Sequence, residues 1–275
     1  RKAGRCSYKA RRLSRYDFRS PRLYIEDALK AGVEIALGKS QAHYLRHVLR
    51  LKPGDAVLAF NGRDGEWRAT LATTRKPDAL TLSPSEQVRP QTEPRDLHYL
   101  FAPLKHERLD YMAQKAVEMG VTRLQPVLTQ HTQVQRVNLE RMRANAVEAA
   151  EQCGVLSLPE IGEPTTLKRA LAARNVDRLL VFCDEDAEVK DPVAALANAR
   201  ESPNSLLPLT MSSARGPQPL ALLIGPEGGF ADEERATLLQ QPNMVRLSLG
   251  PRILRADTAA VAALALLNAV QGDWR

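Results

Sequence analysis

The sequence predicts an α/β domain preceded by a small β-rich barrel. Three observations carry this expectation. Up to about residue 88, short apolar runs alternate with tight turn signals. From Gln87 to Arg95, with Pro90 and Pro94, the composition becomes that of a linker. Beyond residue 95, strand-length apolar runs alternate with stretches of helical periodicity. The domains are accordingly expected at 20–88 and 95–275.

In the first domain, Arg22-Leu23-Tyr24-Ile25 and Val33-Glu34-Ile35 are strand candidates. Gln41 to Leu49 carries Leu45, Val48 and Leu49 at helical spacing. Lys52-Pro53-Gly54-Asp55 is a turn, because proline fixes φ and glycine permits positive φ. A hairpin follows, Ala56–Phe60 and Glu66–Thr73, joined through Asn61-Gly62 and Asp64-Gly65. Trp67, Ala69 and Leu71 share one parity of its second strand. Lys76-Pro77-Asp78 turns into a last strand, Ala79–Leu82. Many short strands, tight turns and one short helix fit a small barrel.

In the second domain, Leu97–Ala102 is a strand. Glu107 to Met119 is a helix with Leu109, Met112, Ala113 and Ala116 on one face, stopped by Gly120. Val121–Leu128 is the next strand, and Asn138 caps a helix that runs through Cys153 to Gly154. Arg178–Cys183 is a further strand. Glu201 to Pro219, rich in Ser and Pro, reads as a loop. Two strand-loop-helix units close the chain, Leu220–Gln240 and Val245–Val270.

Composition narrows the function. No apolar run approaches the roughly 18–20 residues that span a bilayer, and no apolar leader core is present, so a cytoplasmic protein without a membrane partner is expected. The chain starts at Arg1 and not at Met, so a preceding segment is expected. Cys6, Cys153 and Cys183 are far apart and form no CxxC pair, which favours reduced thiols over zinc or disulfides. The five histidines form no ligand-like cluster; His43 and His47 share a helix face but lack a third ligand, so no metal is expected. Residues 1–52 hold fourteen Lys and Arg against four acids, a balance of +10, which leaves −3 for the rest. Such asymmetry is a footprint for a polyanion. For residues 1–19 a basic leader is an equal reading; for Arg22, Arg46 and Arg50, inside the patterned region, and for His43 beside them, RNA phosphates are the expected partner. Lys105, Arg108 and Lys115 have a helical spacing that suits either RNA or a solvated face.

Two C-terminal segments carry chemistry. In the first, an apolar strand runs into Ile224-Gly225-Pro226-Glu227-Gly228-Gly229, then an acid-rich helix start at Asp232, Glu233 and Glu234. Glycines let backbone approach a ligand, and no Gly-Lys-Ser/Thr follows to make a P-loop. Three nearby acids disfavour phosphate and suit a neutral or cationic ligand, such as the sulfonium of S-adenosylmethionine. The second segment is Leu247-Ser248-Leu249-Gly250-Pro251-Arg252-Ile253-Leu254-Arg255-Ala256-Asp257-Thr258, where Asp257 or Thr258 caps an Ala-rich helix.

These two segments in this order resemble the RsmE family within the SPOUT methyltransferases. His43-Tyr44-Leu45-Arg46-His47-Val48-Leu49-Arg50, Lys115-Ala116-Val117-Glu118-Met119-Gly120-Val121 and Glu148-Ala149-Ala150-Glu151-Gln152-Cys153-Gly154 extend the resemblance over nearly everything from Arg22 onward. It implies a PUA-like β-barrel followed by an α/β domain tied in a trefoil knot. It implies a homodimer that uses S-adenosyl-L-methionine to methylate N3 of a uridine in 16S rRNA of the small ribosomal subunit. By match, the cofactor pocket would be lined by Ile224, Gly225, Pro226, Glu227, Gly228 and Gly229, by Leu247, Ser248, Leu249 and Gly250, and by Ile253, Leu254 and Thr258. The final helix, Thr258–Val270, would contribute to the dimer.

Such a reaction needs alignment of N3 with the methyl group and removal of the N3 proton. Glu227, Arg255 and Asp257 are the catalytic candidates. Arg255 would stabilise an enolate-like uracil, Glu227 would sit near the sulfonium, and either carboxylate would take the proton if burial raises its pKa. Two positions depart from the family pattern: Val155 stands where the family has Arg, and Asp257 stands where it has Glu. Two other readings are another SPOUT enzyme, acting on a ribose 2′-hydroxyl or a tRNA base, and a non-catalytic ribosome-associated RNA-binding module.

Overall fold

A computed structural model describes residues 20–74, 79–188, 191–201 and 217–274. The basic segment 1–19, the Lys76-Pro77-Asp78 turn and most of the Glu201–Pro219 stretch lie outside the described residues. The chain divides into two compact units. One runs to Phe60 and includes Glu66–Val88; the other holds Asn61–Gly65 and everything from Arg89.

The first unit is a five-stranded sheet in the order β1-β3-β4-β5-β2. Its strands are β1 (Arg22–Tyr24), β2 (Ile35–Ala36), β3 (Ala56–Phe60), β4 (Glu66–Thr73) and β5 (Leu80–Arg89). The hairpin β3–β4 pairs antiparallel from Ala56↔Thr70 to Phe60↔Glu66, as the turn residues require. Trp67 is half-buried, while Ala69 and Leu71 are fully buried, so the parity reading holds. Helix α1 (Lys39–His43) continues as a π-helical turn, Tyr44–Val48, closed by Leu49 N–H donating to Tyr44 O at 3.0 Å. It buries Ala42 and Leu45 against Leu23, Val57 and Leu82. Two boundaries differ from expectation. Val33 is exposed beyond the left-handed Gly32 (φ 76°), and pairing begins only at Ile35. Strand β5 extends to Arg89, through residues whose polarity suggested a linker; Ser85, Glu86 and Gln87 interleave no core residue and remain solvated.

The second unit is built on a seven-stranded sheet whose main order is β12-β10-β11-β6-β7-β8, with β9 paired to β7. The strands are β6 (Leu97–Phe101), β7 (Arg123–Leu128), β8 (Glu160–Ile161), β9 (Thr165–Thr166), β10 (Leu179–Cys183), β11 (Leu220–Ile224) and β12 (Met244–Leu247). Every pair is parallel. A parallel sheet carries helices on both faces, so its strands must be apolar throughout. The five residues of β11 illustrate this. Leu220, Leu222 and Ile224 pack into one core, and Ala221 and Leu223 into another.

The helices are α2 (His106–Glu118), α3 (Leu139–Cys153), α4 (Leu167–Ala172), α5 (Pro192–Glu201), α6 (Asp232–Leu239) and α7 (Ala256–Val270). The capping signals of α3 act as written: Asn138 Oδ1 accepts from Arg141 N–H at 3.0 Å, and Gly154 is left-handed at φ 73°. From edge strand β12 the chain doubles back, and α7 packs on α2 and α5. Strands β8 and β9 and helix α4 were not legible in the sequence, being too short for periodicity to show, and α5 was not legible because its Ala-rich run presents no distinct apolar stripe.

Candidate active site

A cavity of about 260 Å³ opens at the carboxyl ends of β10, β11 and β12. Parallel α/β sheets place ligands at this end, where strands stop and loops diverge. Ile224, Gly225, Pro226, Glu227 and Gly229 line it from the β11–α6 loop; Leu247, Ser248, Leu249, Gly250, Ile253 and Leu254 line it from the β12–α7 segment. Two expected residues stand apart from the lining. Gly228 faces His131, whose Cβ lies 3.4 Å from where a Gly228 side chain would begin, and Thr258 is exposed on the first turn of α7. Motif adjacency alone does not give the direction a residue faces.

The wall has room for backbone because particular glycines are required. A Cβ on Gly225 would lie 2.4 Å from the Phe230 ring. Gly229 and Gly250 hold φ at 70° and 99°, which side-chain-bearing residues rarely adopt. His131 braces the loop, its Nδ1 lying 3.1 Å from both Gly228 O and Gly229 O and donating to these carbonyls. Glu234 ties it further, accepting from Gln130 N–H at 2.9 Å and Ala231 N–H at 3.2 Å. The acids that open α6 thus complement the helix dipole, and Glu234 among them braces the loop.

The candidate catalytic residues separate. Glu227 and Asp257 converge on one cation, and that cation is Arg108 of α2. Its Nε and Nη2 donate to Asp257 Oδ2 and Oδ1 at 2.9 and 3.1 Å, and its Nη1 donates to Glu227 Oε1. Arg255 is elsewhere: it is the exposed N-cap of α7, with no side-chain partner among the described residues. Asp257 does not meet the condition set for a base. The Arg108 guanidinium holds its carboxyl below the usual range, outweighing partial burial, and Thr258 N–H adds to the effect.

The end of β10 was missed as a source of site residues. Cys183, Asp184 and Glu185 line the cavity, as do Phe230, Arg235, Arg252 and Ala259. Asp184 is buried and accepts from Arg246 Nε and Nη2 at 3.0 and 2.7 Å and from Arg235 Nη2. Burial pushes the Cys183 thiol up to about 12, with Asp184 adding to it, so the thiol stays protonated. The available signal was the acidic run Asp184-Glu185-Asp186 directly after an apolar strand.

Of the residues expected to meet RNA, Arg22 is corrected. It is buried, its Nε donates to Glu66 Oε1 at 2.6 Å, and its guanidinium lies 4.2 Å above the Phe60 ring. A buried, paired arginine serves the core of its unit. His43 and Arg50 are exposed and Arg46 is half-buried, all on or just beside the π turn, and the rings of His43 and His47 lie 4.7 Å apart. Among the described residues no group of His, Cys, Asp and Glu is placed to hold a metal ion, and no helix is long and apolar enough to cross a membrane.

Fold and site together define a SPOUT-type RNA methyltransferase domain, preceded in the chain by a small PUA-like sheet. A family model described as an RNA methyltransferase domain matches residues 91–268, and one described as an RNA methyltransferase PUA domain matches 37–84. The ribosomal RNA small subunit methyltransferase E of Rickettsia conorii is 31% identical over 245 residues, 89% of this chain and 93% of the relative. That of Synechocystis is 32% identical over 86% of this chain and 73% of its own. A methyltransferase from Legionella pneumophila, solved in complex with the cofactor SAM, superposes with a TM-score of 0.76 at 27% identity, covering 91% of this chain and 98% of that one. The chain belongs to the ribosomal RNA small subunit methyltransferase E family of RNA methyltransferases.

Proposed function

We propose that this chain transfers the methyl group of S-adenosyl-L-methionine to N3 of a uridine in 16S rRNA of the small ribosomal subunit, in the cytoplasm and as a homodimer. The observation that carries the reading is the cavity at the ends of β10, β11 and β12, with the Arg108–Asp257–Glu227 bridge beside it. The names of the relatives support the RNA, and the Legionella structure supports the cofactor.

The residues present fit that cofactor. Glycine backbone at Gly225, Gly229 and Gly250 lets a flat, bent ligand approach closely. Of the wall carboxylates, Asp184 is engaged by Arg235 and Arg246 and Glu227 by Arg108, and Glu185 is the one that suits a cationic sulfonium. The β11–α6 loop is not a side-chain clamp. The hold falls largely to backbone groups of Ile224, Gly225 and Pro226, of Leu247, Ser248, Leu249 and Gly250, and of Ile253 and Leu254.

When bound, S-adenosylmethionine supplies an electrophilic methyl group on sulfur. The protein aligns the acceptor nitrogen with it and receives the N3 proton. Residues 20–88 would guide RNA through His43, Arg46 and Arg50; residues 95–275 would carry the chemistry; and α7 would contribute to the dimer.

Titration calorimetry with S-adenosylhomocysteine tests the cavity, and methyl transfer to unmodified small subunits, followed by mapping of the modified nucleotide, tests the reaction. Binding together with a single N3-methyluridine is expected. No binding would remove the enzyme reading, and methylation of a ribose or of another base would replace the substrate.

A further inference from the structure

Resting on that reading, we propose that Arg108 holds the uracil of the substrate at its imide edge and stabilises the charge that forms there, while Glu227, released from Arg108, accepts the N3 proton. The chemistry of the pair argues for it. Arg108 Nη1–H donates to Glu227 Oε1, so parting the two frees one donor and one acceptor next to each other. A uracil edge presents a carbonyl acceptor beside the N3–H donor. The two edges are complementary, and a cytosine, whose N3 is an acceptor, does not fit.

The bridge is unequal in a way that suits exchange. Asp257 holds Arg108 by two hydrogen bonds, is itself fixed by Thr258 N–H at 2.8 Å, and has a side chain only 15% exposed. Among the described residues Glu227 has a single polar contact, its side chain is 51% exposed, and it lines the cavity. An arriving uracil can therefore displace the Glu227 leg while Asp257 keeps the guanidinium in place. Arg255, the guanidinium first expected in this role, has no carboxylate beside it among the described residues.

The step balances without another reactant. The N3–H bond breaks toward a Glu227 oxygen, and the charge left on N3 and the two carbonyl oxygens is met by Arg108. The N3 lone pair forms the bond to the methyl carbon, and the electrons of the broken carbon–sulfur bond remain on sulfur. Glu227 then returns its proton to water.

The test compares single-turnover methyl transfer to unmodified small subunits with S-adenosylhomocysteine affinity, for wild type, Arg108→Ala, Arg108→Lys and Arg255→Ala. Loss of one preorganised donor to a developing anion typically slows reaction by about 100-fold. That loss is expected for Arg108→Ala, with cofactor affinity changed by less than about threefold, and with partial rescue by Arg108→Lys, which keeps the charge but not the fork. A rate for Arg108→Ala within about threefold of wild type overturns the proposal, as does a larger loss for Arg255→Ala than for Arg108→Ala. An equal fall of cofactor affinity in both Arg108 variants overturns it too, since Arg108 would then only tether the two loops. A wild type that binds S-adenosylhomocysteine but methylates no subunit fails the underlying reading instead, and the proposal falls with it.

Discussion

Arg108 and Asp257, 149 residues apart in sequence, are joined by two hydrogen bonds of 2.9 and 3.1 Å. The pair connects α2 to the start of α7, the two helices that the returning chain brings together. A bidentate pair that is partly exposed contributes modestly, so a double-mutant cycle on Arg108→Ala and Asp257→Asn should give a coupling of about 0.5–1 kcal/mol at neutral pH. The sign with pH follows from the lowered Asp257 pKa. The coupling is complete above the ordinary carboxylate range and disappears as acid protonates Asp257 below it. Urea unfolding at pH 7 and near pH 3 checks this; equal coupling at both would contradict the ion pair.

Gly225 and Gly228 lie three residues apart in one loop and should respond differently. A Cβ at Gly225 would enter the Phe230 ring, whereas one at Gly228 meets nothing closer than 3.4 Å. Gly225→Ala should weaken S-adenosylhomocysteine binding by about tenfold or more, the equivalent of about 1.4 kcal/mol, and Gly228→Ala by much less. Calorimetry on the two variants reads this directly. Comparable losses would mean that Phe230 moves aside.

Arg22 and Arg50 test the division between core and RNA face. Arg22→Ala removes the contact from Nε to the buried Glu66 carboxylate, and breaking a buried pair costs about 3 kcal/mol. Its signature is a lowered melting temperature. Arg50→Ala should leave melting nearly unchanged, weaken RNA binding and reduce the salt slope by about one unit. Filter binding across a salt series separates the two, and an unchanged slope for Arg50→Ala would take it off the interface.

His98 predicts a pH dependence far from the cavity. It sits on β6, 3.2 Å from Asp96, and burial followed by the nearby Arg178 lowers its pKa to about 4. The unfolded chain regains the ordinary value of about 6.5 and binds the proton more readily between those limits. Stability should therefore fall as pH drops from about 6.5 to about 4, then level off for this group. His98→Gln should flatten that slope in a chemical-denaturation series; an unchanged slope would assign it to other groups.

Much of the fold was legible because its signals are local. The hairpin Ala56–Phe60 and Glu66–Thr73 follows from turn chemistry and parity, and α3 from Asn138 and Gly154. Strand β5 was underestimated because a strand with a solvated end reads as a polar linker. The cavity loops were legible as glycine-bearing segments after apolar strands. Which of their residues face inward was not, as Gly228 and Thr258 demonstrate.

The sequence by itself determined the β-rich first unit, the α/β second unit and the two C-terminal segments that meet at one site. Periodicity, capping and turn preferences act over a few residues and need no knowledge of distant contacts. Only the tertiary structure decided the charge partners. It placed Arg22 in a buried pair with Glu66, brought Asp184 to the cavity at the end of β10, and joined Arg108 to both Glu227 and Asp257. An ion pair depends on where two side chains end in space, and parallel strands with a returning helix bring together residues that no local pattern relates.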